Sequence, residues 1–216
     1  TETKDSLGRV TSRDTLYSDG STLQSFYDPG NATSVYEHYD IYRDGGGNIT
    51  SYHTYYDDST HASTFYDVGN ATSSYDRYDV YFNASGAITS YHTYYDNGTR
   101  ASTFYDVGNA TPEYDHYDVY FDVADNITSY HTYYDNGTRA STYYDVGNAT
   151  ATYDHYDVYF STDGTLTRQI TYYDDGGRAD TRYDVPNTTN PWTWETRVYD
   201  SNGTLIDYYG QNDDGS

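Results

Sequence analysis

Apolar and aromatic residues alternate with polar ones along most of the chain, and clusters of Asp, Asn, Gly and Thr interrupt the alternation. A period of two predicts β-strands with successive side chains on opposite faces. In one stretch it predicts strands at residues 88–95, 100–105 and 113–121. Tyr, Thr and Val dominate these segments and no 3.6-residue apolar stripe is present, so the sequence predicts an all-β protein.

The predicted strands recur with a period of 39 residues. Tyr52-His-Thr-Tyr-Tyr-Asp57 returns at 91–96 and again at 130–135. The chain divides into a partial repeat at 1–12, five repeats at 13–51, 52–90, 91–129, 130–168 and 169–207, and a tail at 208–216. Such self-similarity is typical of arrays in which each unit packs on its neighbours. We therefore expect a single elongated repeat array over residues 1–216, with three strands in each repeat.

Two arrangements of these strands fit the pattern. Each repeat adds three antiparallel strands to a hairpin or meander array, or it forms one coil of a three-sided β-solenoid. Stacked coils would place columns of identical Asp about 4.8 Å apart, with like charges opposed. We therefore favour hairpins, and we expect them to pack in two sheets or a spiral because core-facing rings need covering.

Turn residues support the hairpins. The pair Asn97-Gly98 follows the first strand of its repeat and predicts a two-residue hairpin loop, since both residues accept positive φ. An Asp that closes a strand is expected to accept hydrogen bonds from backbone amides of the turn.

Composition restricts the core and the partners. Leu, Ile, Val and Phe together number 28 of 216 residues, whereas there are 33 tyrosines. A tyrosine core is expected, because each ring buries apolar surface while its hydroxyl stays wet. The net charge of −23 repels phosphate backbones, which argues against nucleic acid as a partner. No apolar run approaches the ~18 residues of a transmembrane segment, so none is expected.

Seventeen tyrosines are followed directly by aspartate. With the segments Asp5-Ser-Leu-Gly-Arg-Val-Thr-Ser12 and Tyr199-Asp-Ser-Asn-Gly-Thr-Leu205, this pairing resembles the tyrosine-aspartate (RHS-type) repeats of large secreted and cell-surface proteins. The resemblance implies β-hairpin repeats, often wound into a spiral or shell. The chain departs from that pattern in its 39-residue period and its longer second turn.

Asparagine carries the clearest chemical signal. Of 13 asparagines, 11 stand in Asn-X-Ser/Thr with X other than proline, although Ser and Thr make up only 51 of 216 residues. Glycosylated Asn requires an exposed loop of a secreted protein, and these asparagines lie in predicted turns. The sequence predicts covalent N-linked glycans at Asn31, Asn48, Asn70, Asn83, Asn97, Asn109, Asn126, Asn136, Asn148, Asn187 and Asn202. The alternative is that Asn-Gly-Thr is simply good turn chemistry.

The remaining candidate sites are weaker. Asp122 and Asp125 flank a turn where oxygen atoms could hold Ca²⁺, but turn capping is favoured and no metal site is expected. Histidines recur in two columns, but other residues replace them in some repeats, so ring stacking or solvation is favoured over catalysis. The columns are His53, His92 and His131, and His38, His116 and His155.

The fifth repeat contains the only tryptophans of the chain. Trp192 and Trp194, with Tyr208 and Tyr209 of the tail, are a candidate subunit interface, because tryptophan is favoured at interfaces. Covering of the last repeat is the alternative.

We expect no enzyme activity and no catalytic residues, since neither a nucleophile elbow nor a phosphate-binding glycine loop is present. The sequence predicts an extracellular, heavily N-glycosylated structural protein. Its copies are expected to assemble end to end into a surface stalk or filament, because an edge strand without a partner is a template for pairing with another chain. The alternatives are an adhesin or carbohydrate-binding repeat module with a cell-surface or carbohydrate partner, and a calcium-dependent surface-layer component.

Overall fold

The computed structural model describes residues 1–32, 35–72, 74–185 and 190–215. Within these ranges the regular structure is entirely β-strand, which confirms the predicted fold class. No helix of the described chain has the length and apolar character needed to cross a bilayer. The chain divides into two compact units, Thr1–Val107 and Gly108–Ser216.

Each unit is an antiparallel meander of short strands. The first unit contains β1 (Glu2–Lys4), β2 (Val10–Leu16), β3 (Thr22–Tyr27), β4 (Tyr36–Arg43), β5 (Ile49–Tyr56), β6 (His61–Tyr66), β7 (Arg77–Phe82), β8 (Ile88–Tyr94) and β9 (Arg100–Tyr105). The second contains β10 (His116–Phe121), β11 (Ile127–Tyr133), β12 (Arg139–Tyr144), β13 (Tyr153–Phe160), β14 (Leu166–Tyr173), β15 (Arg178–Tyr183), β16 (Trp192–Tyr199) and β17 (Leu205–Asn212).

The three strands of a repeat are named A, B and C in chain order. A strands are β2, β5, β8, β11, β14 and β17, B strands are β3, β6, β9, β12 and β15, and C strands are β1, β4, β7, β10, β13 and β16. The prediction is confirmed for 100–105, whereas β8 ends one residue before the predicted 95 and β10 begins at His116 rather than at 113.

Strands adjacent in sequence pair antiparallel within each unit. In the first unit, for example, β5 pairs with β6, and β6 with β7. The hairpin array is thereby confirmed. The solenoid alternative is wrong, because it requires each strand to stack parallel on its equivalent 39 residues away.

The A–B turns are three-residue loops, so the predicted two-residue hairpin is wrong. The Tyr95 N–H donates to the Thr99 carbonyl (2.9 Å), and the Gly98 N–H donates to the Tyr95 carbonyl (2.9 Å). Gly98 has a positive φ of 83°, whereas Asn97 does not. Asn97 instead accepts bonds from Thr99 through its Oδ1, which favours a turn closed by one left-handed glycine.

Aromatic rings stack from strand to strand and join the end of one repeat to the start of the next. In one ladder the Phe65 and Tyr78 centroids are 5.0 Å apart, and those of Tyr78 and Tyr91 are 5.3 Å apart. Equivalent stacks join Phe26, Tyr39 and Tyr52, then Tyr117 and Tyr130, then Tyr143 and Tyr156. These offset stacks are the arrangement that aromatic pairs prefer.

Successive ladders within a unit lie on opposite faces of its sheet. Directly paired residues of antiparallel strands share a face, and the register places the Phe26 and Phe65 ladders on different faces. In the second unit, the Tyr117 and Tyr143 ladders are separated in the same way. Each repeat has three strands, and successive strands run in opposite directions. Equivalent strands of successive repeats therefore run in opposite directions, and their equivalent side chains point to opposite faces of the sheet.

Several small side chains are buried, with exposures of 8% or less. They include Val80, Val119 and Val158 of the C strands, and Ser102 and Ser141 of the B strands. Among the described residues of each unit, strands contact only their sequence neighbours. Within each unit the expected packing in two sheets is therefore wrong, because neighbouring rings of the same face cover one another. The alternative of a spiral stays a prediction.

Candidate functional site

The sequon asparagines lie in the turns that join the strands. Asn187 lies outside the described residues. Of the other ten, Asn83 is half-buried. The exposed asparagines are Asn31, Asn48, Asn70, Asn97, Asn109, Asn126, Asn136, Asn148 and Asn202. These nine lie where a modifying enzyme has access to the chain.

The B–C turns have their own use for asparagine. Asn31, Asn70, Asn109 and Asn148 have φ between 53° and 56°, in the left-handed region that Asn tolerates better than most residues. In the B–C turn of the fourth repeat, Asp145 accepts hydrogen bonds from the Thr150 N–H (2.8 Å) and the Thr150 hydroxyl (2.8 Å). The backbone bond from Thr150 is the largest cause of the lowered pKa of Asp145. Both defining positions of this sequon, Asn148 and Thr150, thus have a structural role as well.

The A–B turns show the same overlap. Asn97 Oδ1 accepts from the Thr99 N–H (3.0 Å) and the Thr99 hydroxyl (2.7 Å). In the preceding repeat Asp58 makes the equivalent bonds to Thr60, at 2.9 Å and 2.6 Å. Because an Asp cannot be N-glycosylated, this turn closes with or without a sequon.

The calcium candidates Asp122 and Asp125 lie in a C–A turn. Asp122 Oδ1 accepts from the Ala124 N–H (2.8 Å) and the Asn126 N–H (2.9 Å), and its Oδ2 accepts from Asn126 Nδ2 (2.9 Å). The Asn126 side chain is the first cause of the lowered pKa of Asp122. In the described ranges no group of three or more His, Cys, Asp or Glu is placed to hold a metal ion. Turn capping accounts for Asp122, and calcium binding stays the alternative.

The structure brings the candidate interface residues onto two neighbouring strands, β16 and β17. Trp194 Nε1 donates to Gln211 Oε1 (3.3 Å), and its ring meets that of Tyr209 edge-on at 6.2 Å. The Tyr208 hydroxyl donates to the buried Glu195 (3.0 Å), while Tyr208 itself is 55% exposed. Trp192 pairs with Asn212 at the end of β17.

The first histidine column lies in three similar serine cages. His92 Nδ1 is 2.7 Å from the Ser102 hydroxyl, and Nε2 is 3.3 Å from the Ser90 hydroxyl. His53 and His131 have the same neighbours in their own repeats. Burial is the main cause that lowers the pKa of all three rings, against the opposing charge of a cross-strand Asp. The serines are buried, with Ser102 only 1% exposed, so the cage offers no nucleophile to a substrate.

The second histidine column stacks on tyrosines, which is one of the two environments that the sequence favours. His38, His116 and His155 lie 4.2 Å from Tyr55, Tyr133 and Tyr172. In the second repeat Arg77 replaces the histidine and lies 3.8 Å over the ring of Tyr94, a cation–π contact.

The sequence analysis did not predict that arginines also stack on aromatic rings of neighbouring strands. Arg139 lies 4.2 Å over the ring of Phe160, and Arg178 lies 4.4 Å over that of Tyr199. The sequence does contain the pattern that indicates these contacts. One column is cationic in four repeats when its histidine is protonated, and it consists of His61, Arg100, Arg139 and Arg178.

No protein-family model matches the chain, and a search of curated proteins gives no significant match.

Proposed function

We propose that this chain is an extracellular, N-glycosylated structural repeat protein whose copies assemble end to end into a stalk or filament. The observation that carries the proposal is the recurrence of one three-strand unit, with stacked rings on its strands and sequon asparagines in its turns. Each repeat is built from contacts with its sequence neighbours, which suits a protein that adds length.

Exposure of the asparagines supports the glycan part of the proposal. Their structural roles explain why Asn occurs in the turns, yet Asp serves equally in the A–B turn of the second repeat. Sugars at the turns would add solubility and would hinder lateral contact between strand ends.

Strand β17 supports end-to-end assembly. All eight of its residues, Leu205–Asn212, are exposed, although it pairs with β16. Leu205 and Ile206 are 51% and 63% exposed, so the strand presents apolar side chains that a second copy of the chain could cover.

Two measurements test the proposal. Intact mass of secreted material should exceed the bare 24.6 kDa by the mass of several glycans, and negative-stain images should show fibres. A bare mass contradicts glycosylation, and single particles at high protein concentration contradict assembly. Specific binding to a glycan array by monomeric protein would favour the adhesin alternative.

Gly210→Ala tests whether β17 is the assembling strand. A Cβ at Gly210 would lie 2.6 Å from the Trp194 carbonyl oxygen, so it should force β17 away from β16. We expect fibres to be lost while circular dichroism keeps most of its β signal. Asp207→Ala on the same exposed strand is the control. Fibre formation by Gly210→Ala at the wild-type level would show that β17 is not the docking strand.

A further inference from the structure

An open groove recurs beside the B–C turn in three repeats. It lies between that turn and the neighbouring A–B turn, and each groove is lined by the sequon asparagine of its own B–C turn. The grooves at Asn70, Asn109 and Asn148 have volumes of about 620, 450 and 700 Å³. These volumes fall within the range of small-ligand sites.

The linings combine flat rings with carboxylates. At Asn148 the groove is lined by the stacked pair His155 and Tyr172 and by Asp154, whose side chain is 70% exposed. At Asn109 the equivalents are His116, Tyr133 and Asp115, with Asp115 68% exposed. The ring faces are stacked on neighbouring strands, as for His155 between Tyr144 and Tyr172, so the edges of the rings line the groove. One oxygen of each carboxylate lies 2.7 Å from the Nδ1 of the adjacent histidine. Ring edges beside exposed carboxylates suit a ligand with apolar C–H groups and several hydroxyl or amide donors, which describes an amino sugar.

The turn fixes the backbone conformation at the groove asparagine. Asn148 has φ of 53°, and its N–H donates to the Asp145 carbonyl (3.1 Å). Asp145 in turn accepts from Ala149 and Thr150 on the far side of the turn. A glycan attached here therefore starts from a preorganised backbone, which lowers the entropy lost when its first sugar is ordered.

We propose that the grooves at Asn109 and Asn148 seat the first N-acetylhexosamine of the glycan carried by that same asparagine. The inference rests on the glycosylation proposed above. The sugar ring lies against the His–Tyr pair, and its hydroxyl and acetamido N–H groups donate to Asp115 or Asp154. The groove at Asn70 is a natural comparison, because Asp76 and Tyr95 line it but no stacked His–Tyr pair does.

The test uses the full chain secreted from yeast, whose N-glycans begin with N-acetylglucosamine, with the acetyl groups labelled for NMR. Ring currents of the His–Tyr pairs should shift the acetyl methyl signals of the Asn109 and Asn148 glycans away from the position of a free glycopeptide. The Asn202 glycan, in the β16–β17 turn, should show the shift of a free glycopeptide, and Asn70 should lie between. Asp154→Ala should reduce the shift at Asn148 alone, with Asp207→Ala as the matched control.

Trimming to the single attached N-acetylglucosamine should leave the shifts unchanged, and complete removal should accelerate hydrogen exchange at the Thr150 amide. If mass spectrometry finds Asn109 and Asn148 without sugar, both this inference and glycosylation at these turns fail. If the sugars are present but their methyl signals match that of Asn202, the groove is not a seat, while the proposed function stands.

Discussion

At the scale of single residues, the turns show how one amino acid satisfies two demands. Asn148 lies at φ 53°, where a residue with an ordinary Cβ is strained. Its sequon partner Thr150 caps Asp145 through both its N–H and its hydroxyl. The tripeptide that matches the glycosylation sequon therefore also stabilises a tight turn. Experiments can separate its role in glycosylation from its role in the turn.

Substitution of Asn148 in sugar-free protein isolates the backbone role. Asn148→Ala should lower the free energy of unfolding by about 1 kcal/mol, the scale of left-handed strain for a residue with a Cβ. Asn148→Gly should lower it much less, because glycine has no such strain. Urea denaturation of bacterially expressed protein measures both. As a control, Asn136→Asp should be neutral, since Asp58 closes the equivalent turn. Equal losses for Ala and Gly would refute the backbone account.

At the scale of elements, neighbouring strands are joined by aromatic ladders and, where the first histidine column is filled, by histidine cages. The ladders hold adjacent strands through ring stacking, as between Tyr78 and Tyr91. The cages place a half-buried imidazole between two serine hydroxyls and across from a carboxylate, as for His92 between Ser90 and Ser102, opposite Asp79. Since burial lowers the pKa of these rings, the strands pack best with neutral histidine.

The three caged histidines should make the protein less stable in mild acid. As pH falls through the ordinary value of 6.5, the unfolded chain takes up protons before the folded chain does. Proton uptake then favours unfolding, and the loss continues until pH reaches the lowered folded pKa. The melting temperature should therefore fall between about pH 7 and pH 5, the range where histidine changes charge.

The triple variant His53→Gln, His92→Gln and His131→Gln should show a flatter melting profile over the same range. Turn carboxylates such as Asp122 and Asp145 have pKa values below their ordinary 3.8, so their stabilisation is lost only at lower pH. A wild-type profile as flat as that of the variant would contradict the cage account.

At the scale of the whole chain, negative charge opposes folding. The net charge is −23, and Asp and Glu outnumber Lys and Arg by 34 to 11. Ion pairs such as Arg168 with Asp180 can neutralise only a part of these carboxylates, because the chain has far fewer cations than anions. Repulsion among the rest opposes a compact state.

Added salt should stabilise the protein. Raising NaCl from about 10 mM to about 1 M shortens the Debye length from ~30 to ~3 Å and screens repulsion between turns. We expect the melting temperature to rise through most of this range. Sodium chloride and choline chloride should act alike if screening is the cause. A fall in melting temperature with salt would show that attractive pairs outweigh the repulsion.

Local sequence pattern was enough to predict the strands, their grouping in threes and the antiparallel hairpins. Alternation with a period of two and turn residues at fixed spacing are local properties, so they can be read without a structure. For His116 the sequence left two environments open, ring stacking or solvation, and the structure shows stacking. The sequon positions were predicted as turn residues, and the structure places Asn97 and Asn148 there.

The way in which the strands cover their rings could be learned only from the folded chain. The A–B loop at Asn97 has three residues because the asparagine side chain bonds to Thr99, a choice between turn types that Asn-Gly leaves open. A second sheet is not needed within a unit, because Phe65, Tyr78 and Tyr91 stack on one another across three strands. Such contacts depend on cross-strand register, which joins residues far apart in the chain and is set by all the turns together.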